Sequence, residues 1–207
     1  MSRSSVATVT LLRGVDLAPA PWKNGGGVTR EIAAGGAALA PPDAFAWRVS
    51  LADIAQAGPF SRFDGVDRTL VLFEGAGLQL DEVRAAAEMP HATHRLESAL
   101  DIARFAGEST IDARIAAGPV RVFNLMVRRG VAHGALEVWR EAGRRTVCAQ
   151  TVLLHAVQRE VAVSVAGEGF IALAPGDTLR VDAGQAMNLK ARGEGTLLAV
   201  TLDIART

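Results

Sequence analysis

Hydrophobic and polar positions alternate along this chain with a period of two. Between Phe45 and Asp53, Trp47, Val49 and Leu51 point one way and Arg48 and Ser50 the other, as in a strand with one apolar and one polar face. Arg68–Phe73 and Val120–Val127 read as further strands, and so, in the second half, do Thr151–Val157, Val161–Val165 and Thr196–Leu202. These runs are short, rich in β-branched residues and bounded by Gly, Pro or Asp. Many short strands separated by turns predict an all-β sandwich or barrel. Helical spacing is scarce. Asp81–Glu88 has room for a turn or two before Pro90, and Ala33–Asp43, rich in Ala, Gly and Pro, reads as a surface excursion.

A faint repeat runs through this pattern. Phe73–Leu78, an apolar strand end leading into Gly-x-Gly and a new apolar residue, is echoed by Val165–Phe170. Glycine admits positive φ, which predicts a tight hairpin at both places. Pro175-Gly176-Asp177 follows the second: Pro presets φ, Gly takes the left-handed position and Asp hydrogen-bonds locally. Strand, Gly-x-Gly, strand, Pro-Gly-Asp, strand is the skeleton of a cupin half-barrel. In the first half Met89-Pro90-His91 stands where Pro-Gly-Asp would be, a departure from the pattern. Two such halves predict a bicupin, two cupin-like β-barrel halves packed together as one unit over residues 1–207. The first covers about 15–130 and the second about 131–207, with the repeat boundary near Gly130 to Gly143.

Composition narrows the function. Lys+Arg and Asp+Glu both number 22, and Arg128-Arg129 and Arg144-Arg145 are too short to make a basic patch, so no nucleic-acid partner is expected. The apolar stretch Val6–Leu12 is interrupted by Thr8 and Thr10 and lacks a signal-peptide core. No segment approaches the ~18 uninterrupted apolar residues of a membrane span. The expected location is the cytoplasm. The single cysteine, Cys148, allows no intramolecular disulfide and sits in no nucleophile signature; a small buried hydrophobe or a partly exposed thiol is expected there.

Three segments carry chemistry. In Pro21-Trp22-Lys23-Asn24-Gly25-Gly26-Gly27-Val28-Thr29-Arg30-Glu31-Ile32, consecutive glycines expose backbone N–H groups beside a cation, an amide and an indole. This fits an anion-binding loop or a turn capping the barrel. A phosphate-binding P-loop does not fit, because Lys23 precedes the glycines and a strand follows. The second segment holds Arg48 and Ser50 on a polar strand face, then Arg62, Phe63, Asp67 and Arg68. An arginine inside a barrel requires a carboxylate, either a ligand's or a protein partner such as Asp53 or Asp67. In the third, Asn124, Met126 and Arg128 share one strand face and would join Arg48 and Ser50 around an apolar cavity. Four histidines, His91, His94, His133 and His155, with no His-x-His, predict no metal site and no cofactor; His91 and His94 read as loop residues.

These segments, in order from Trp22 to Arg129, closely resemble the HutD/Ves family: Pro-Trp-Lys-Asn-Gly-Gly-Gly-Val-Thr-Arg-Glu-Ile, Trp-Arg-Val-Ser-Leu-Ala-Asp-Ile, Gly-Pro-Phe-Ser-Arg-Phe-Asp-Gly-Val-Asp-Arg-Thr-Leu and Phe-Asn-Leu-Met-Val-Arg-Arg. From Val131 onward the resemblance is to a generic cupin half. The resemblance implies a bicupin fold and a regulator of histidine utilisation. It also implies a small acid such as formylglutamate, formate or urocanate as ligand, and no firmly attached enzymatic activity. Carried onto matching positions, the implied ligand-binding residues are Trp22, Lys23, Asn24, Gly26, Thr29, Arg30, Glu31, Arg48, Ser50, Arg62, Phe63, Arg68, Asn124 and Arg128. The expected partner is a small anionic metabolite. A metal-independent isomerase or hydrolase using Glu31 or Lys23 as base is the alternative, and an interaction module or homodimer a third reading.

Overall fold

The computed structural model describes residues 7–36, 45–83 and 92–205. Met89-Pro90-His91, most of the Ala33–Asp43 excursion and the end of the Asp81–Glu88 stretch lie outside the described residues. Among the described residues the chain is all β, with nineteen strands, one 3-10 turn at Gly14–Asp16 and no α-helix. In chain order the strands are β1 (Thr8–Leu12), β2 (Pro19–Pro21), β3 (Gly27–Gly35), β4 (Trp47–Ile54), β5 (Gly58–Pro59), β6 (Val66–Glu74), β7 (Leu78–Val83), β8 (Ala92–Leu96), β9 (Ile102–Ala106) and β10 (Thr110–Ile115). They continue with β11 (Val120–Arg128), β12 (Ala132–Trp139), β13 (Gly143–Val147), β14 (Thr151–Gln158), β15 (Val161–Val165), β16 (Ile171–Leu173), β17 (Thr178–Asp182), β18 (Met187–Gly193) and β19 (Thr196–Ile204).

The chain divides into two compact units, one of Ala18–Val131 and one of Met1–Leu17 with Ala132–Thr207. In the Ala18–Val131 unit a six-stranded sheet, β2-β3-β4-β11-β6-β9, faces a four-stranded sheet, β5-β10-β7-β8. Alternation places Ala52, Ile54, Leu70, Leu72, Val120 and Val122 of the first sheet against Leu78, Leu80, Leu96, Ile111 and Ala113 of the second. In the other unit a five-stranded sheet, β1-β17-β14-β19-β12, faces the four-stranded β13-β18-β15-β16. Val152, Leu154, Leu179, Val181 and Leu197 there meet Val161, Val163, Leu173 and Leu189. Each such side chain contributes roughly 1.5–3 kcal/mol through burial. Among the described residues all pairings are antiparallel, and none of the four sheets closes on itself.

Several expectations change. Gly75-Ala76-Gly77 does not make a hairpin: β6 pairs with β11 and β9 while β7 pairs with β10 and β8, so this turn carries the chain from one sheet to the other. Its echo, Gly167-Glu168-Gly169, does make a hairpin, with Val163 opposite Ile171. Asp81 belongs to strand β7 and not to a helical turn, because its backbone is held by β8 and β10. His94 lies within strand β8 and not in a loop. Within the apolar stretch that lacks a signal-peptide core, Thr8–Leu12 form β1, paired along its length with β17. At Pro175-Gly176-Asp177 the turn is as expected: Gly176 has φ +91°, and the Asp177 carboxylate accepts from the Ala174 N–H (3.1 Å), the Gly14 N–H (3.0 Å) and Arg13 (2.7 Å).

Candidate functional site

Cross-strand register builds the polar cluster of the Ala18–Val131 unit. Residues directly opposite one another share a face. The face that meets the four-stranded sheet carries the row Thr29–Ala52–Val122–Leu72, which is mainly apolar. One step along, the row becomes Glu31–Ser50–Asn124–Leu70–Ala103, and the next is Arg48–Met126–Arg68–Phe105. Two arginines therefore flank the middle strand β11 on the inward face, with a buried amide diagonally adjacent to both.

Arg68 is the unusual member. It is 8% exposed, and no carboxylate pairs with it among the described residues. Its guanidinium lies over three rings, Phe105 (5.1 Å), Phe60 (5.3 Å) and Phe63 (5.7 Å), and Nη1 donates to the Ser61 carbonyl at 3.4 Å. Nε is buried with no hydrogen-bond partner. Burial, and then the like charge of Arg48, lower its pKa to about 10. Ring faces attract a cation by about 0.5–2 kcal/mol each, which offsets only part of the several kcal/mol that burying an unpaired charge costs.

Arg48 is a quarter exposed and donates Nε–H to Glu31 at 2.8 Å; Glu31 is half exposed. A bulge between Glu31 and Ala33 shifts the register of β3 against β4 and brings the two side chains together. Asn124, 7% exposed, has a buried Oδ1 with no partner. From the facing sheet come Glu82, which accepts from the Ser109 hydroxyl, and His94, whose ring is tilted 41° against Phe105 at 6.0 Å. His94 Nε2 is also buried without a hydrogen-bond partner, 3.8 Å from Glu82.

A model of the HutD family matches residues 15–199. A Pseudomonas putida protein, an uncharacterized 21.2 kDa protein in the hutC 3' region, is 33% identical over 197 residues, covering 93% of this chain and 97% of its own. This chain belongs to the HutD family. The solved structure of HutD from Pseudomonas fluorescens SBW25 is 32% identical with a TM-score of 0.81, covering 96% of this chain and 100% of that one. Protein Ylba of Escherichia coli, 12% identical with a TM-score of 0.67 over 100% of this chain and 96% of that one, shows that the fold is cupin-like.

The residues expected at the site divide by position. Glu31, Arg48, Ser50, Phe63, Arg68 and Asn124 surround the cluster. Trp22 and Thr29 border it: the indole N–H donates to Thr29 Oγ1 (2.8 Å), and the ring stands edge-on to Phe60 at 6.4 Å. The glycine run serves the turn itself. Gly25 N–H donates to the Trp22 carbonyl (3.0 Å) and Gly26 N–H to Asn24 Oδ1 (3.0 Å), while the Gly26 carbonyl accepts from Ala55 and Gln56. A Cβ at Gly27 would lie 2.5 Å from the Asp53 carbonyl oxygen and 3.2 Å from the Trp22 ring. Asn24 and Gly26 thus hold the turn with hydrogen bonds that an anion would otherwise use, and Lys23 is exposed.

Arg30 faces the other way, because it neighbours Glu31 in a strand. It pairs with Asp53, which also accepts from Arg121 at 2.6 Å. Burial alone would raise the Asp53 pKa, but the bonds from Arg121 and Arg30 outweigh it and hold the carboxyl below its ordinary value. Arg62 is mostly exposed and donates to the Glu108 carbonyl at 2.9 Å. Arg128 donates to the carbonyls of Phe45 (3.1 Å) and Asp64 (3.4 Å), tying loops at the end of β11. Phe60, Glu82, His94 and Phe105 were absent from the expected set. Alternation of Ala103 and Phe105 was a usable signal for β9; its pairing with β6 was not.

The other unit has an open groove of about 490 Å³ lined by His133, Cys148, Gln150 and Asp203 among others. Two of its polar residues are engaged with each other and with the backbone: Asp203 accepts from the Gln150 N–H (2.8 Å), and the Gln150 side chain bonds the Ile204 backbone in both directions. Cys148 is exposed. No group of three or more His, Cys, Asp or Glu placed to hold a metal occurs among the described residues, and no helix there is long and apolar enough to cross a membrane.

Proposed function

We propose that the Ala18–Val131 unit binds a small carboxylate metabolite between Arg48 and Arg68, without a metal, and that the protein acts as a ligand-responsive regulator in histidine utilisation. The carrying observation is the buried guanidinium of Arg68, which has no carboxylate partner among the described residues and an idle Nε–H. A buried cation without a counter-ion is costly, and an incoming carboxylate would remove that cost while gaining charge-assisted hydrogen bonds in a low-dielectric site. Strands β4 and β6 are separated by β11, so the two arginines start about 10 Å apart, close enough to converge on one small anion. Two neighbouring guanidiniums also repel a metal cation.

The relatives support the physiological setting. The Pseudomonas putida protein is described by its place in the hutC 3' region, and the Pseudomonas fluorescens HutD structure under a formate condition. Formylglutamate, formate and urocanate are the acids to test. The reading includes a bicupin architecture, with each two-sheet unit as one cupin half, a cytoplasmic location, and a possible homodimer, which light scattering would resolve. Calorimetric titration with the three acids tests the function. At least one binds at millimolar concentration or tighter, and Arg68→Met abolishes that binding with the fold retained. Absence of heat with all three, or unchanged affinity in Arg68→Met, overturns it.

A further inference from the structure

The two arginines account for a carboxylate but leave one buried group unexplained. Asn124 sits on the middle strand β11, with Ser50 on one side and Leu70 on the other, and diagonally between Arg48 and Arg68. Residues so placed lie ~7–8 Å apart at their Cα atoms, a span that one small molecule covers. Asn124 is 7% exposed, and its Oδ1 is buried without a partner. With the amide oriented as it is here, a carboxylate cannot satisfy this oxygen, since both would be acceptors. Met126 and Leu70, its neighbours along and across the sheet, are apolar and have nothing to donate, and the hydroxyl of Ser50 opposite it makes no bond to this oxygen. Buried polar groups in native proteins are nearly always paired, and one that is not calls for a missing partner.

Resting on the carboxylate reading above, we infer that the acid held at this site also carries a hydrogen-bond donor, an O–H or N–H, which Asn124 Oδ1 accepts. The site then selects hydroxy, amino or amido acids over plain carboxylates of the same shape. The guanidiniums supply attraction for any small anion, and Asn124 supplies the choice among them. An acid that buries a methyl group against Oδ1 leaves that oxygen unsatisfied, whereas an isosteric hydroxyl satisfies it. A hydrogen-bonding site of this kind rejects the analogue lacking the group more strongly than an apolar pocket rejects an added methylene.

Two matched pairs of probes test this by calorimetry on the full chain: glycolate against propionate, and 3-hydroxypropionate against butyrate. Within each pair a hydroxyl replaces a methyl, one or two carbons from the carboxylate. In the wild type, the hydroxy acid of at least one pair is expected to bind about tenfold more tightly than its isostere. In Asn124→Leu the members of that pair bind equally, with the melting temperature confirming a folded protein. Equal binding within both pairs in the wild type overturns the inference without recourse to any variant. If that equality is accompanied by loss of binding in Arg68→Met, the carboxylate reading survives and only the donor requirement falls. If none of the four probes binds, the donor requirement falls, while the carboxylate reading stands or falls on the titrations with formate, urocanate and formylglutamate.

Discussion

The two units of this chain bury their inter-sheet faces in opposite ways. Between the sheets of the unit containing β12–β19, the buried residues are apolar throughout, among them Val152, Leu154, Val163, Val181 and Leu189. Between the sheets of the Ala18–Val131 unit, an apolar layer of the same kind gives way within two rows to Asn124, Arg48 and Arg68. The same two-sheet plan has been filled once for stability and once at a cost to it. Asn124 Oδ1 and Arg68 Nε are buried there without a hydrogen-bond partner, and this contrast is what singles the cluster out as the candidate site.

The widest test of the contrast is to exchange the two kinds of interior. Leu154→Asn, placing an amide in the apolar interior, is expected to destabilise the protein by about 3–5 kcal/mol, since it removes volume and strands a polar group. Asn124→Leu is expected to be neutral or stabilising. Denaturant unfolding measures both, and equal losses at the two positions would erase the distinction. Arg68→Met follows: binding of the acid falls by about 2–5 kcal/mol, while stability without ligand rises by about 1–3 kcal/mol as an unpaired charge leaves the interior.

Acid separates the units by another route. His155 is fully buried on β14, with Nδ1 2.8 Å from Thr178 Oγ1, and burial lowers its pKa to about 4. Unfolded, it titrates near 6.5. The stability held by the neutral ring is therefore intact above that value. It is lost as pH falls toward about 4, by on the order of 3 kcal/mol. Melting temperature against pH should show this slope in the wild type and a flatter one in His155→Gln. Asp53→Asn, on the opposite face from Arg48, is expected to cost about 1 kcal/mol and leave acid binding unchanged. Because its bonds with Arg121 and Arg30 hold Asp53 below the ordinary carboxylate range, its contribution is present above about pH 4 and drains as pH falls further. The smallest effect belongs to the glycine turn: Asn24→Ala loses the bond to Gly26 N–H, about 0.5–1 kcal/mol, again without touching binding.

Alternation made the strands legible, and with them the inward pairing of Arg48 with Ser50 and of Asn124 with Met126, because a strand's period of two fixes faces without knowledge of partners. What it could not give was register. The approach of Arg68 to Arg48 across Met126 depends on β6 and β4 both lying beside β11, a long-range pairing with no local signature. Arg30 and Glu31 are adjacent in a motif yet serve opposite faces, and motif membership alone did not separate them. The Gly-x-Gly echo failed at Gly75–Gly77 for a related reason: local backbone freedom permits a turn but does not say whether the strands it joins will pair. Glu82 and His94 came from a sheet whose strand β8 was read as a loop.

The central claim is that the Nε–H of Arg68 awaits a carboxylate. Its side-chain 1H–15N resonance, assigned by loss in Arg68→Met, reports directly on that proton. Titration with formate, urocanate or formylglutamate should move it downfield and saturate at the calorimetric affinity. A resonance that stays fixed while one of these acids saturates the protein would place the ligand elsewhere and contradict the account.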